Sequence, residues 1–265
     1  VPVKLPPATP APASTLVLLR DGSAGGCEAL LIERHAKSRF AAGAFVFPGG
    51  RIESGDAPDD AARWCAGLEP GDAATQLGAG VEPTEAVGYW IGAIRETFEE
   101  VGALLARGPD GGPLTVAAER LREYRRACQR DAGTFWTMLR EERLSLATDQ
   151  LVYFAHWITP EEQPLRFDTR FFAAPWPPGQ EAVADDREIV TVRWLTPAHA
   201  LAARARGELA IRLPTAKTLG LLEGAESVAA ALERLRQVPV SPVRPRVVTE
   251  DGRVRTILPG EPGYY

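Results

Sequence analysis

The sequence predicts an α/β fold. Three observations lead there. Short apolar or aromatic runs carry strand character, and longer stretches carry a helical period. Between them, Phe47-Pro48-Gly49-Gly50 forms a glycine-rich turn that follows a strand-like run and lies upstream of an acidic helix. At 265 residues the chain can bury a substantial core, as one enlarged domain or as two.

The elements follow in order. Residues 1–13 are rich in Pro and Ala and read as an extended arm, docked or loose. Thr15 to Arg20 and Cys27 to Arg34 are apolar runs on either side of Asp21-Gly22-Ser23-Ala24-Gly25-Gly26, which predicts a hairpin. Ala44 to Phe47 is a short third strand feeding the glycine turn. A helix through Ala61 to Cys65 is expected to end near Gly67. Pro83-Thr84-Glu85 opens a second helix, expected from about Thr84 to Leu105, with Thr84 or Glu82 near the cap. Gly108 to Gly112 is a break. Val116 to about Leu146 has a helical period and is dense in Arg and Glu. It reads as an insertion over the core or the substrate entrance, either a plain structural lid or a substrate reader.

Leu151 to Thr159 and Arg166 to Ala173 are aromatic-rich strands. Ile189 to Leu195 is another. It leads into Thr196-Pro197, an N-cap followed by Pro at the first helical position, with the helix running to Arg206. Pro214 to about Gln237 predicts one or two helices interrupted at Gly224. Val243 to Leu258 is a hairpin around Asp251-Gly252. The expected organisation is an arm over 1–13, a main domain over 14–240 with helical insertions near 57–88 and 113–148, and a C-terminal hairpin or tail over 241–265.

The chemistry is concentrated in Arg95-Glu96-Thr97-Phe98-Glu99-Glu100-Val101-Gly102. Glu96, Glu99 and Glu100 stand at i, i+3 and i+4, so a helix stacks their carboxylates on one face. Like charges at that spacing repel. A divalent cation reverses the sign of that cost, and hard oxygen ligands suit Mg²⁺ or Mn²⁺. Such a metal points to phosphate chemistry. The plainer alternative is a solvated acidic face.

Composition excludes several classes. A net charge of −5 argues against a broad nucleic-acid surface. Three widely spaced cysteines, Cys27, Cys65 and Cys128, with no CxxC pair, fit a reducing compartment. No apolar run approaches the roughly 20 residues that cross a bilayer. The first residues lack a signal-peptide core, and the last three are no peroxisomal address, so cytoplasm is the expected location and no membrane partner is expected. A homodimer stays open. His35, His156 and His199 share no metal spacing and read as structural.

Gly50 together with Arg95, Glu96, Glu99, Glu100 and Gly102 resembles the signature box of the Nudix hydrolases. The match departs in three places. Asp56 stands where the family has Glu, Thr97 stands at an apolar position, and residues 57–94 separate the two halves far more widely than usual. One branch carries the same split: Phe-Pro-Gly-Gly, a long insert, then Arg-Glu-Thr-Phe-Glu-Glu. That branch resembles the peroxisomal coenzyme A diphosphatases of animals and their bacterial relatives. The resemblance implies an α/β/α sandwich with a mixed sheet, enlarged by helical insertions. It implies metal-dependent hydrolysis of a nucleoside diphosphate derivative, a small-molecule partner. Coenzyme A or an acyl-coenzyme A leads as substrate. ADP-ribose or a nucleotide sugar is the alternative, and a non-catalytic regulatory domain is an alternative of another class.

By the same resemblance Glu96, Glu99 and Glu100 are metal ligands, Glu100 foremost, with the Gly49 carbonyl completing the shell. Glu99 and Glu100 also carry the catalysis, and Arg95 orients a carboxylate. Glu188 is a further metal ligand or the general base, against the alternative of a solvated loop acid. Asp56, shorter than the family's Glu, is given only a structural role or a supporting one behind the ligands. Arg34, Arg39, Gly43 and Phe47 match a segment that precedes the box in the coenzyme A branch. Arg34 and Arg39 would clamp phosphate oxygens or, on the plainer reading, pair with surface acids. Phe167, Phe171, Phe172 and Trp176 offer stacking surfaces for adenine or simply fill the core.

Overall fold

Four consecutive apolar residues, Leu16 to Leu19, set the architecture. All four are 0% exposed, and alternate side chains enter opposite cores. A strand with both faces apolar must lie inside a sheet covered on both sides. The computed structural model describes residues 7–38, 40–78, 80–185, 187–250 and 253–264, and it shows that arrangement.

The strands are β1 Ala11–Asp21, β2 Cys27–Arg34, β3 Phe45–Val46, β4 Gly49–Arg51, β5 Ala106–Arg107, β6 Ser145–Leu146, β7 Val152–Ile158, β8 Phe167–Pro175, β9 Ile189–Leu195, β10 Pro242–Val243, β11 Arg246–Glu250 and β12 Arg253–Ile257. The helices are α1 Pro70–Leu77, α2 Pro83–Val101, α3 Ala118–Cys128, α4 Gly133–Glu141, α5 Pro197–Ala205, α6 Leu213–Leu222 and α7 Val228–Arg236. Among the described residues eight strands form one mixed sheet, in the order β10-β7-β8-β1-β2-β3, with β4 on β1 and β9 on β2. β1 pairs with β8 in parallel and with β2 and β4 antiparallel. One core lies under α2 and includes Leu16, Leu18, Trp90, Ile94 and Phe98. The other lies under α5, α6 and α7 and includes Val17, Leu19, Leu219 and Leu235. The expected α/β/α sandwich is therefore observed. Among the described residues no helix is long and apolar enough to cross a membrane.

Several local expectations change. Gly49–Arg51 is not a turn but strand β4, hydrogen-bonded along the first half of β1. The helix expected from Ala61 to Cys65 is only a 3₁₀ turn, Ala61–Trp64. α1 was not anticipated, although Pro70 sits at its first turn, where Pro is favoured. α2 stops at Val101 instead of reaching Leu105. Gly102 takes the left-handed conformation (φ 77°) and its amide donates to the Phe98 carbonyl, a glycine C-cap. The region from Val116 to Leu146 is two helices, α3 and α4, followed by β6. β11 and β12 form the expected C-terminal hairpin, and its Asp251-Gly252 turn lies outside the described residues.

Candidate active site

The acidic face of α2 looks across a short gap at β4. Glu100 is 5% exposed, and its Oε2 accepts a hydrogen bond from the Gly49 amide at 2.9 Å. The sequence reading gave Gly49 a carbonyl contact to metal; the contact seen here is made by the amide. Gly50 lies against Glu96 so closely that a Cβ at Gly50 would stand 2.4 Å from Glu96 Cδ and Oε2. Gly49 is constrained from the other side. Its φ is 152°, and a Cβ there would come within 2.3 Å of the Ser14 carbonyl oxygen.

These two glycines should respond differently to alanine. At Gly50 the clash falls on a flexible carboxylate, which can move away. Gly50→Ala is expected to displace Glu96 and reduce turnover by about 100-fold, the usual cost of an ångström-scale misplacement. The melting temperature should change by only about 2 °C or less. At Gly49 the clash falls on backbone, so Gly49→Ala should chiefly damage stability. Steady-state kinetics and thermal unfolding of both variants check this. A Gly50→Ala enzyme with wild-type turnover would contradict it.

Arg95 organises the cluster. Its Nε donates to Asp56 Oδ1 at 2.6 Å and its Nη2 to Asp56 Oδ2 at 2.9 Å, a bidentate pair in which both side chains are at most 3% exposed. Nη1 reaches Glu96 Oε1 at 3.0 Å and Glu99 Oε1 at 3.3 Å, and Nη2 also donates to the Arg51 carbonyl at 3.0 Å. Asp56 stands where the family has Glu, and here it neutralises and aims the arginine that aims two of the three glutamates. Burial alone would favour a neutral guanidinium; Asp56, Glu96 and Glu99 outweigh it and hold the charge.

Arg34 bridges the remaining acids. Its Nη1 donates to Glu100 Oε1 at 3.1 Å and its Nη2 to Glu188 Oε2 at 3.3 Å, while its buried Nε has no hydrogen-bond partner among the described residues. Glu188 is held at this rim because the His35 amide donates to its carbonyl at 2.8 Å. The loop is shaped by Asp185, whose Oδ1 accepts from the amides of Arg187, Glu188 and Ile189. The sequence points to the acidic loop over 185–188 and to Glu188 within it; it leaves the loop-shaping role of Asp185 unassigned, although an Asp ahead of a strand is a known signal for one.

The other sequence-predicted residues divide. Arg39 lies outside the described residues. Gly43 takes a left-handed conformation (φ 64°) in the β2–β3 connection, where its amide donates to the Arg34 carbonyl, and it does not line the cleft. Phe47 is buried in the core under α5–α7 and borders a second cavity. Phe167 lines the cleft. Phe172 packs on Trp90 at 4.7 Å and Trp176 on Trp194 at 5.2 Å, both away from the cleft.

The glutamates and Arg34 open onto a cleft of about 1070 Å³. One wall is the joint between α3 and α4, including Gln129, Arg130 and Trp136. This insertion also closes the end of α2. Arg125 donates to the carbonyls of Glu99 and Glu100, and Gln129 donates to that of Glu99 at 2.7 Å. Helix ends leave such carbonyls without intrahelical partners. Arg125 and Gln129 were not singled out in the sequence, and that requirement is the signal that could have found them.

Burial lifts the proton affinity of all three glutamates. Glu96 is pushed from 4.5 to about 7 by burial first and by the neighbouring Glu99 next, against the pull of Arg95. Glu100 lies well above its ordinary value through burial and the nearby Glu96, and Glu99 is raised through burial. A hard divalent cation relieves the same cost as a proton does, so the donor set fits Mg²⁺ or Mn²⁺. In the present arrangement Arg95 and Arg34 hold these carboxylates. Among the described residues no three acidic, His or Cys side chains converge on a single point.

The raised values set a sign for stability. Below about pH 4.5 a glutamate is protonated in both states. Between 4.5 and about 7 the metal-free fold keeps a proton on Glu96 that the unfolded chain releases. Stability without metal should therefore fall as pH rises through that window. Urea unfolding in chelator at pH 5 and pH 8 tests this, and a protein more stable at pH 8 would refute it.

Residues 8–219 match the family model described as the NUDT19 Nudix domain. The chain belongs to the Nudix family. The Nudix domain is 32% identical over 209 residues to the acyl-coenzyme A diphosphatase NUDT19 of Xenopus laevis, covering 66% of this chain and 54% of that protein. It is 27% identical over 302 residues to the human protein of the same name, covering 98% of this chain and 75% of that one. The chain thus spans about half the length of the Xenopus relative. A Nudix hydrolase from Alicyclobacillus acidocaldarius superposes with a TM-score of 0.74 at 26% identity, covering 88% of this chain and 99% of that one.

Proposed function

We propose that this Nudix domain hydrolyses the diphosphate of coenzyme A or an acyl-coenzyme A, with Mg²⁺ or Mn²⁺ held by Glu96, Glu99 and Glu100. The observation that carries the chemistry is the set of three glutamates on α2, Glu100 buried and Glu96 and Glu99 half-buried, which face β4 and line the cleft. The substrate class rests on relatives that bear the name acyl-coenzyme A diphosphatase.

When bound, the cation neutralises phosphate charge and makes a coordinated water more acidic. The protein's own residues position and exclude. Asp56 fixes Arg95, and Arg95 fixes Glu96 and Glu99. The Gly49 amide fixes Glu100, and Gly50 leaves room for Glu96. Arg34 can exchange its carboxylate partners for phosphate oxygens in the same planar, two-pronged geometry. On this reading Glu188, 66% exposed and paired with Arg34 at the rim, takes the proton of the attacking water. Water oxygen adds to one phosphorus as the bridging P–O bond breaks. The products are 3′,5′-ADP and an (acyl-)phosphopantetheine, with the displaced proton released.

A ³¹P NMR panel of coenzyme A, acyl-coenzyme A thioesters, ADP-ribose and nucleotide sugars, each with Mg²⁺ and with Mn²⁺, tests this. Coenzyme A compounds should turn over fastest. Cleavage of ADP-ribose with no cleavage of any coenzyme A compound would overturn the substrate and keep the hydrolase. No cleavage of any member would overturn both.

A further inference from the structure

Beside the cleft that holds the glutamates lies a second chamber of about 540 Å³. The two share a wall that includes Arg34, Phe40, Gly49 and Phe167. A diphosphate at Arg34 and Gly49 would therefore stand at the mouth of both.

Their chemistry differs. The first cleft holds the glutamates and a set of cationic or ionisable groups: His35, Lys37, Arg51, Arg130 and Arg187. The second has no Asp or Glu among its described lining residues. Among the described residues its only lining cations are Arg34, at the shared wall, and Arg212. Its walls are largely aliphatic or aromatic, with Trp157, Ile158 and Phe171 from the sheet, Ile211 from the segment before α6 and Leu213 from the start of α6. The neck carries two unusually exposed apolar side chains, Phe40 at 43% and Leu165 at 39%, and Phe40 meets Phe167 edge-on at 5.0 Å. Thr159, Gln163 and Thr215 provide a few polar points.

The roof comes from the C-terminal hairpin, through Pro245, Val247 and Thr256. Val247 and Thr256 face each other in register. The hairpin is pinned to the β7–β8 connection: Arg244 pairs with Glu161, and the Val247 amide donates to Glu162 Oε2 at 3.3 Å. This roof lies beyond residue 219, where the match to the family model ends.

We infer that the second chamber receives the pantetheine arm and acyl chain of the substrate, and that the C-terminal hairpin sets the acyl length it accepts. The inference rests on the coenzyme A reading above. The doubly phosphorylated nucleotide half, which leaves as 3′,5′-ADP, belongs with the cationic groups of the first cleft. The arm leaving the other phosphate has amides for the few polar points and, in a thioester, a hydrocarbon end for the apolar walls. The volume is in the range of ordinary small-ligand sites.

Chain-length kinetics test it. In the wild-type protein kcat/KM should rise from free coenzyme A to octanoyl-coenzyme A by at least about tenfold, the gain of about two buried methylenes at roughly fourfold each. Val247→Trp fills the roof and should lower the octanoyl-to-free ratio about tenfold. Thr256→Trp, at an exposed hairpin position, should lower it in the same direction and serves if the first variant does not fold. A wild-type enzyme that cleaves free and octanoyl-coenzyme A equally well would overturn the chamber assignment and leave the hydrolase reading intact. So would folded variants with an unchanged ratio. A wild-type protein that cleaves no coenzyme A compound would overturn the coenzyme A reading first, and this inference with it.

Discussion

Glu100→Gln is expected to lower kcat/KM by about 1000-fold or more while the protein stays folded. Gln preserves shape and can still accept from the Gly49 amide, so the local backbone keeps its partner. What disappears is a buried charge that, on the proposed reading, would hold the cation. The stability side follows from the raised proton affinity. Burial makes ionised Glu100 costly, and its strained charge is removed by the substitution. Arg34 loses one carboxylate and keeps Glu188. The melting temperature measured in chelator should therefore stay near wild type or rise. Stabilisation by added Mg²⁺ should shrink, because a cation stabilises only the state that binds it. The pair of measurements separates a catalyst from a regulatory binder, since only the catalyst has a rate to lose. More than a tenth of wild-type turnover in the variant would remove Glu100 from the ligand set.

The parts of the fold legible in the sequence are those governed by local pattern. Ile189 to Leu195 was bounded at both ends as observed, because β-branched residues run up to a Thr-Pro helix start whose Thr196 side chain does accept from the His199 amide. The β1–β2 hairpin and strands β7 and β8 were visible for the same reason. β4 was not. Its glycines read as a turn, and only pairing with a strand more than thirty residues earlier in the register Thr15 to Gly49 makes them a strand. α1 was masked by its length and composition: it has 8 residues, mostly small or polar, and buries only Ala73 and Leu77. The carboxylate triplet was legible because helical geometry alone brings i, i+3 and i+4 together. Its supports were not: Asp56 is 39 residues from Arg95, and Gln129 is 30 from Glu99. No local period encodes contacts across an insertion. Asp56 could be placed only as structural, and the arginine it serves could not be joined to it.

That buried link carries the largest expected effect on stability. Arg95→Met should destabilise the protein by about 3–5 kcal/mol, the usual result of leaving one member of a buried pair alone. For a chain of this size the melting temperature should fall by roughly 10 °C. Asp56 would keep the Glu53 amide as a donor at 2.8 Å, but both of its oxygens would lose the guanidinium. Asp56→Ala should cost less, because Arg95 retains Glu96, Glu99 and the Arg51 carbonyl. The double variant should be more stable than the sum of the two losses predicts, by about 2 kcal/mol, since it leaves no unpartnered charge of this pair. Arg95→Lys should not rescue the loss. A single ammonium cannot reproduce two parallel bonds to Asp56 while also reaching Glu96 and Glu99. Chemical denaturation of the wild type and the four variants measures all of these terms. Strict additivity would mean that Asp56 and Arg95 stabilise the fold independently. The path from the first half of the split box to the glutamates would then not run through this pair.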